Sequence, residues 1–502
     1  MYLAPRLAPV VPIPVSCPSI PRSYKRREPG STVFHGIVRE HLETMLAEAR
    51  ASSDSGAGLP FFVERELRAY IDCGDLSRGF LRVRCDDCGD ELLVGFSCKG
   101  RAACPSCATR RMQDGAERIL DFVLPPVPIR QWVTSYPKSL RVHLAADAEL
   151  NSRVVALSIA EIFKWQRARA RRLGRRGTRV AAICVLQRFG SALQLNPHAH
   201  SLLPDGVFGP RYENAPDEPP EFLRIAPPTD DEVEQILHRI VRKIMRLTEK
   251  LGLRDRPLSE DAQALALTIA LPLPRKEVDE APPAPRRSAF FRGFSIHANV
   301  FCHENDREAL RRLVRYALRP PFALERMSLL PSGDVAYKMK KALQDGTETL
   351  VLRPVDFLRR VASLVPPPRR HMVKYFGLFA PNARDRSVVV PRPPPTTPDA
   401  ADAAPTVDQQ ADKPLRPGRI PWAELLKKVF AFDVFRCDRC PGRRRIVAAI
   451  HDASTAARIL AHVGIGARKA PLLPARAPPP PAQLGLDPAG FDPCVDPPCM
   501  VD

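Results

Sequence analysis

The chain has 502 residues, 44% of them hydrophobic, which is enough for two or three domains with ordinary apolar cores. Its 76 lysine and arginine residues outnumber 56 aspartate and glutamate residues, and the net charge of +20 favours a nucleic acid partner, although an arginine-rich composition can also reflect a GC-rich genome. No uncharged apolar stretch reaches about 18 residues, and residues 10–15 lack a cleavage site, so we expect a cytoplasmic protein without membrane contact.

Composition and hydrophobic spacing divide the chain into six regions. The proline-rich start predicts a tail, and the next region joins two amphipathic helices to a cysteine cluster. A longer folded domain follows, and a linker separates it from a short C-terminal domain and a disordered end. The regions are 1–33 (tail), 34–124 (zinc-binding, DNA-binding domain), 125–385 (main domain), 386–419 (flexible linker), 420–466 (small C-terminal domain) and 467–502 (disordered tail).

The main domain alternates predicted strands and helices. A β-branched run before Gly190 and a second strand-like run after it predict a hairpin that leads into the segment Asn196-Pro197-His198-Ala199-His200. A proline-rich stretch at 272–288 predicts an inserted loop. The other predicted elements are strands at 131–135, 180–187, 191–195 and 294–301, helices at 110–124, 147–173, 230–251 and 305–318, and a hairpin around 331–334. The sequence thus predicts a mixed α+β fold.

Paired cysteines give the sharpest chemical signal. Six of the 13 cysteines fall between Cys73 and Cys107, a clustering typical of a metal site in a reducing compartment. Two C-x2-C knuckles, Cys85 with Cys88 and Cys104 with Cys107, together offer the four thiolates that structural zinc prefers. Either Cys73 or Cys98 could replace a knuckle cysteine, or both could be core residues. Basic residues flank the knuckles and are candidates for phosphate contacts: Lys99, Arg101, Arg110 and Arg111.

Two weaker signals lie in the main domain. In a strand, His198 and His200 project from one face, so both imidazoles can bind the same divalent ion. Tyr316 lies in a basic stretch where Arg312, Arg315 and Arg319 could meet phosphates. Each signal alone is also compatible with a packing role. Their combination carries more weight than either signal alone.

The order of these motifs resembles the transposases of the insertion sequence 91 family, from about Val33 to Asn382. The resemblance lies in the following segments: Arg82-Val83-Arg84-Cys85 to Cys88, Phe96-Ser97-Cys98-Lys99, Cys104-Pro105-Ser106-Cys107, Gln187-Arg188-Phe189-Gly190, Asn196-Pro197-His198-Ala199-His200, Arg315-Tyr316-Ala317-Leu318-Arg319-Pro320-Pro321 and Phe379-Ala380-Pro381-Asn382.

That family belongs to the HUH endonucleases, so the resemblance implies a bacterial, nucleoid-associated rolling-circle transposase acting on single-stranded transposon ends. It implies a zinc ribbon with flanking helices, then an antiparallel HUH-type sheet covered by helices, with a small C-terminal extension. It makes His198 and His200 ligands of catalytic Mg²⁺ or Mn²⁺, and Tyr316 the nucleophile that forms a 5′-phosphotyrosine. Structural Zn²⁺ is expected in the ribbon.

Two features depart from the family's pattern. Its founding members carry two tyrosines four residues apart, whereas Arg312 and Pro320 stand at those distances from Tyr316. The chain therefore resembles a single-tyrosine variant, with Tyr337 and Tyr375 as alternative nucleophiles. The third metal ligand is not evident, and Gln187 on the preceding strand is the candidate.

A further C-x2-C pair, Cys437 with Cys440, lies in the C-terminal region ahead of Arg443-Arg444-Arg445. One knuckle cannot close a zinc site unless distant residues join it, and His451, Cys494 and Cys499 are the candidates considered. The competing functions are a non-catalytic zinc-ribbon DNA-binding protein or decayed transposase, and an RNA-binding zinc protein. The last explains the charge but not the histidine pair and tyrosine.

Overall fold

The structure is a computed structural model, and it describes residues 28–53, 55–210, 220–253, 258, 286–343, 346–391, 421–430, 432–466 and 471–476. Their helices are α1 (Val33–Ala51), α2 (Phe61–Ile71), α3 (Pro105–Phe122), α4 (Lys138–Ala146), α5 (Ala148–Arg172), α6 (Asp230–Lys250), α7 (Arg307–Leu318), α8 (Pro354–Leu364), α9 (Arg386–Val389), α10 (Trp422–Phe430) and α11 (Ala453–His462). Within these residues, no helix is both long and apolar enough to span a membrane.

Fifteen strands accompany the helices in the described part of the chain. They are β1 (Phe80–Cys85), β2 (Glu91–Gly95), β3 (Ile129–Ser135), β4 (Ala181–Phe189), β5 (Leu195–Pro204), β6 (Gly206–Gly209), β7 (Glu221–Arg224), β8 (Ser288–Phe291), β9 (Phe294–His297), β10 (Phe301–Cys302), β11 (Met327–Leu329), β12 (Val335–Lys338), β13 (Thr349–Leu352), β14 (Val373–Gly377) and β15 (Arg444–Ile450). Their pairings are antiparallel. The predicted α+β class is confirmed.

A seven-stranded sheet forms the centre of the main domain, in the order β14-β4-β5-β3-β9-β8, and β10 pairs with β3. All nine residues of β4 but Leu186 are buried, as expected for an interior strand with helices on both faces. Helices α5 and α6 cover one face, and α3 and α7 cover the other. A capping box between Thr229 and Glu232 begins α6 and agrees with the predicted helix start.

The predicted strand at 191–195 is wrong. Residues 191–193 form a turn in which Leu193 has a φ of 58°, and β5 starts only at Leu195. Strand β5 then continues through the histidine segment to Pro204. The single strand predicted at 294–301 is also divided, into β9 and β10. The predicted loop at 272–288 lies mostly outside the described residues, as does most of the predicted linker, whose first residues form α9.

The N-terminal helices share a core with the main domain. Phe34 of α1 packs edge-on against Phe322, with ring centroids 4.9 Å apart, and against Phe357 of α8 at 6.1 Å. The same buried cluster includes residues of β12 and of the turn before β5. The expected boundary near residue 124 therefore does not separate two independent cores.

The C-terminal region also joins the N-terminal part of the chain. Strand β15 pairs with β1, giving a second sheet in the order β15-β1-β2. Residues 420–466 were expected to form a separate small domain, but the described part of this region completes the sheet of the cysteine module. Residues 471–476, predicted to be disordered, lie along α1, where the Leu473 N–H donates to the Arg39 carbonyl at 3.0 Å. Leu472 packs on the core beneath.

Candidate functional site

The histidine pair lies on β5, in the interior of the seven-stranded sheet between β4 and β3. Because side chains alternate along a strand, His198 and His200 project from the same face as Leu202, which belongs to the core under α3 and α7. The two Nε2 atoms lie 3.0 Å apart. The structure therefore brings both imidazoles to one point beneath α7.

Hydrogen bonds at the opposite ring nitrogens orient the two imidazoles. His198 Nδ1 lies 2.7 Å from the carbonyl oxygen of Asn196, which only accepts, so Nδ1 carries the proton and Nε2 keeps a lone pair. His200 Nδ1 lies 2.8 Å from the amide nitrogen of Gln131. A flip of this amide, which exchanges its nitrogen and oxygen, would place the proton on Nδ1 and leave Nε2 free, as in His198. Gln131 was not predicted to be a site residue. Its position beside Trp132 in a buried strand was a signal, because a buried glutamine needs a hydrogen-bond partner.

Burial keeps the two imidazoles uncharged. Desolvation lowers the pKa of His198 to about 4 and holds the pKa of His200 well below its ordinary value. The positive charge of Arg319 acts in the same direction on both rings. A metal ion binds neutral imidazole, so at neutral pH both rings are in the ligating form.

Tyr316, near the C-terminal end of α7, lies against this pair. Its ring meets the His200 ring edge to face, with centroids 5.8 Å apart. The guanidinium of Arg319 lies 4.6 Å from the centre of the Tyr316 ring, and the exposed Lys340 ammonium lies 4.7 Å from it. Lys340, which follows β12, was not predicted, since nothing in its sequence surroundings connects it with α7. The structure thus gathers two imidazoles, a phenol and two cations.

Gln187 lies opposite His198 in the pairing of β4 with β5, on the same face of the sheet. Its amide nitrogen donates to the carbonyl oxygens of Tyr316 at 2.9 Å and Ala317 at 2.7 Å, which fixes the end of α7 to the sheet. Its amide oxygen is buried and has no hydrogen-bond partner within the described residues. This orphaned oxygen suits an oxygen-preferring cation.

The arginines named as DNA contacts differ in their surroundings. Arg101 donates to the carbonyls of Pro367 and Arg370, at 2.9 and 2.5 Å, and burial lowers its pKa. Arg110 reaches Cys107 Sγ at 3.6 Å, and Arg111 donates to the Lys99 carbonyl at 2.9 Å. Arg101 therefore links the cysteine module to the segment that precedes β14, while Arg110 and the exposed Arg111 bond within the module. The contacts of all three with DNA stay a prediction.

The two C-x2-C knuckles of the N-terminal region do not lie in one cluster, so their predicted grouping is wrong. Cys104 and Cys107 instead join Cys73 and Cys98, with Sγ–Sγ distances of 3.6 to 3.7 Å for the pairs in contact. A tetrahedral zinc ion with Zn–S bonds of about 2.3 Å would hold sulfurs about 3.8 Å apart, so this group fits zinc. The pKa of Cys107 is lowered by the thiol of Cys104 and, more weakly, by Arg110.

Glu66 of α2 shapes the loop that carries this cluster. One of its carboxylate oxygens accepts the N–H groups of Arg101, Ala102 and Ala103, at 2.7 to 2.9 Å. Such charge-assisted bonds hold the turn that leads into Cys104 at the start of α3. Sequence patterns do not reveal this role, because a glutamate on an amphipathic helix is ordinarily a solvated residue.

Cys85 and Cys88 meet Cys437 and Cys440 in a second four-cysteine group. The expected further ligands for the Cys437 and Cys440 knuckle were His451, Cys494 and Cys499. His451 stacks on Phe96 with ring centroids 4.7 Å apart and is not a member of the group, while Cys494 and Cys499 lie outside the described residues. Sequence spacing could not identify the pairing, because the two knuckles lie about 350 residues apart.

Two models of known protein families match the chain. Residues 37–136 match the transposase zinc-binding domain family Zn_Tnp_IS91, and residues 181–387 match the transposase family Y2_Tnp. Together the two matches cover more than half of the chain and include the first cysteine group, the histidine pair and Tyr316. No curated protein and no solved structure matches the chain.

Proposed function

The chain belongs to the IS91 family of transposases, and we propose that it cuts and rejoins single-stranded DNA by the rolling-circle route of HUH endonucleases, with Tyr316 as the nucleophile. The observation that carries this proposal is the edge-to-face contact between Tyr316 and His200, whose Nε2 atom lies 3.0 Å from that of His198. Packing alone does not explain why two buried imidazoles that converge on one point lie beside the Tyr316 ring.

His198 and His200 would hold a divalent ion through their Nε2 atoms, and the orphaned Gln187 oxygen is the candidate third donor. Mg²⁺ or Mn²⁺ bound there would polarise the scissile phosphate and neutralise charge that develops on its oxygens. The chain's own contribution is orientation: Asn196 and Gln131 hold the rings, and Gln187 holds the helix that carries Tyr316.

In the proposed reaction the Tyr316 hydroxyl oxygen attacks the phosphorus atom and loses its proton to water, which returns a proton to the departing 3′ oxygen. The bond from phosphorus to the 3′ oxygen breaks, so one DNA end leaves with a 3′-hydroxyl and the other stays on the enzyme as a 5′-phosphotyrosine. Attack by a 3′-hydroxyl on that phosphotyrosine rejoins the strand and restores the phenol. Arg319 and Lys340 lie against the Tyr316 ring, so positive charge stands beside the proposed site of attack.

A single tyrosine limits the enzyme to one covalent link at a time. Arg312 and Pro320 stand four residues before and after Tyr316, where a second tyrosine would be needed. Successive steps would then alternate between Tyr316 and a free 3′-hydroxyl. The bond energy of the cleaved phosphodiester is conserved in the phosphotyrosine, so no nucleotide cofactor is required.

The proposal is tested by incubating the protein with Mn²⁺ and labelled single-stranded fragments from the ends of its own element. We expect nicking and a covalent protein–DNA band that resists denaturation. DNA binding without nicking or a band, at every divalent ion tried, would instead indicate a non-catalytic or decayed DNA-binding protein. Equal activity on a double-stranded fragment of the same sequence would contradict the single-strand preference.

We expect substitutions of two arginines on α7 to have different effects on DNA binding. Arg312 is exposed, whereas Arg315 is held by Glu117 of α3 at 3.1 Å. We therefore expect Arg312→Ala to reduce the slope of log affinity against log salt by about 0.7 to 1, the value for one lost phosphate contact. Arg315→Ala, its matched control, should leave the slope unchanged and lower the melting temperature. Equal slopes for Arg312→Ala and the wild type would remove Arg312 from the interface.

A further inference from the structure

The second cysteine group joins two distant parts of the chain. Cys85 Sγ lies 3.5 Å from Cys440 Sγ, and Cys88 Sγ lies 3.5 Å from Cys437 Sγ. All four sulfurs lie within 4.8 Å of one another. A disulfide would need about 2.05 Å, whereas tetrahedral zinc–thiolate geometry needs about 3.8 Å. The arrangement therefore fits one metal ion shared by four sulfurs better than two disulfides.

Both halves of the group have the same backbone geometry. The Cys85 N–H donates to the carbonyl of Asp90, five residues on, at 2.8 Å, and the Cys437 N–H donates to the carbonyl of Gly442, also five residues on, at 3.2 Å. In the C-terminal half, the N–H groups of Arg439 and Gly442 donate to Cys437 Sγ and Cys440 Sγ, each at 3.4 Å. Two matched knuckles thus present their sulfurs to each other.

Opposite charges hold the two knuckles together. The Arg444 guanidinium, only 3% exposed, lies 2.7 Å from Asp90, and Arg445 lies 2.5 Å from Asp86. Arg439 also reaches Asp90, at 3.0 Å. A Cβ at Gly442 would meet the exposed side chain of Asp87, so the two knuckles approach each other closely here. Arg439, Arg444 and Arg445 are therefore committed to this junction.

The apolar contacts at the junction are few. Val83 of β1 packs with Phe432 and Val434, and a second small cluster joins β1 and β2 to α11 through residues such as Phe80 and Leu460. Cores of this size rarely stabilise a module without a metal or another covalent link. Closing a segment of about 350 residues also has an entropic cost, which grows with its length.

We propose that Cys85, Cys88, Cys437 and Cys440 bind a second structural zinc ion, which fastens the segment around β15 to the β1–β2 hairpin. This zinc is distinct from the one proposed at Cys73, Cys98, Cys104 and Cys107. Neither family match reaches residues 437–440, so half of its ligands lie outside the matched zinc-binding domain. The C-terminal extension thereby becomes part of the N-terminal module.

Elemental analysis of the full-length chain, purified under reducing conditions, tests the proposal. Two groups predict two zinc ions per chain in the wild type. Cys437→Ala should lower the content to one, and Cys437→His, which restores a nitrogen ligand, should return it to two. Cys184→Ala is the matched control, since Cys184 is buried in β4 outside both groups. One zinc in the wild type, iron in place of zinc, or two zinc ions in Cys437→Ala would overturn the proposal.

Hydrogen exchange separates loss of this zinc from general misfolding. In Cys437→Ala, the amides of β15 should lose protection, while those of β5, in the seven-stranded sheet, should keep it. Wild-type protection of β15 in a Cys437→Ala protein would show that the junction holds without the ion and would contradict the proposed fastening. Because the readouts are metal content and protection, failure here leaves the proposed nuclease mechanism unaffected.

Discussion

Replacing Tyr316 with phenylalanine should eliminate the covalent protein–DNA adduct and reduce nicking by about three orders of magnitude or more, as expected for a lost nucleophile. The change removes only the hydroxyl group. Phenylalanine keeps the ring that contacts His200 and that Arg319 and Lys340 approach, so packing at the end of α7 is preserved. Fold, metal content and affinity for single-stranded DNA should therefore match the wild type.

The other candidate nucleophiles have different surroundings. Tyr337 of β12 is 4% exposed and packs beside Phe357, in the core shared with the N-terminal helices, and burial raises its pKa. Tyr375 lies on β14, two strands from β5, and burial raises its pKa as well. Tyr337→Phe and Tyr375→Phe should accordingly keep the adduct. Peptide mapping that finds phosphotyrosine at either residue, or an adduct that persists in Tyr316→Phe, would exclude Tyr316.

Local patterns in the sequence predicted much of the main domain. The alternation of side chains places His198 and His200 on one face whatever the partner strands are, and helical spacing predicted the segment that carries Tyr316. The start of β5 was placed wrongly because Ala192, Leu193 and Leu195 give residues 191–195 the appearance of a strand. Leu193 adopts a positive φ in the turn there. This conformation is unfavourable for leucine, so the sequence does not predict it.

Long-range pairing could not be predicted. Cys85 and Cys88 have their nearest C-x2-C partner in Cys104 and Cys107, and spacing alone favours that wrong choice. The correct partner depends on pairing between β1 and β15, whose separation along the chain leaves no local trace. The same limit applies to Lys340 beside Tyr316 and to Gln131 beside His200, because each contact arises from tertiary structure.

Alanine at either His198 or His200 should abolish nicking, with a loss of about three orders of magnitude or more, while affinity for single-stranded DNA stays within about twofold of the wild type. Either change leaves only one of the two Nε2 atoms that converge at 3.0 Å, and a single imidazole cannot retain the ion against water. Binding should survive because it depends mainly on phosphate contacts made by the basic surface. Nicking assays across a Mn²⁺ titration, with binding measured in parallel, give both quantities.

The matched control is His238→Ala, on α6, which covers the opposite face of the sheet. The His238→Ala protein should nick DNA at the wild-type rate.

Gln187→Ala tests whether Gln187 is a metal ligand or only anchors α7. If the buried Gln187 oxygen is a third donor, a higher Mn²⁺ concentration should restore part of the nicking in Gln187→Ala, because two imidazoles still hold the ion there. The same Mn²⁺ concentration should restore none in His200→Ala. Wild-type nicking by His198→Ala or His200→Ala would remove the histidine pair from the mechanism, and with it the reason for placing the reacting phosphate beneath Tyr316.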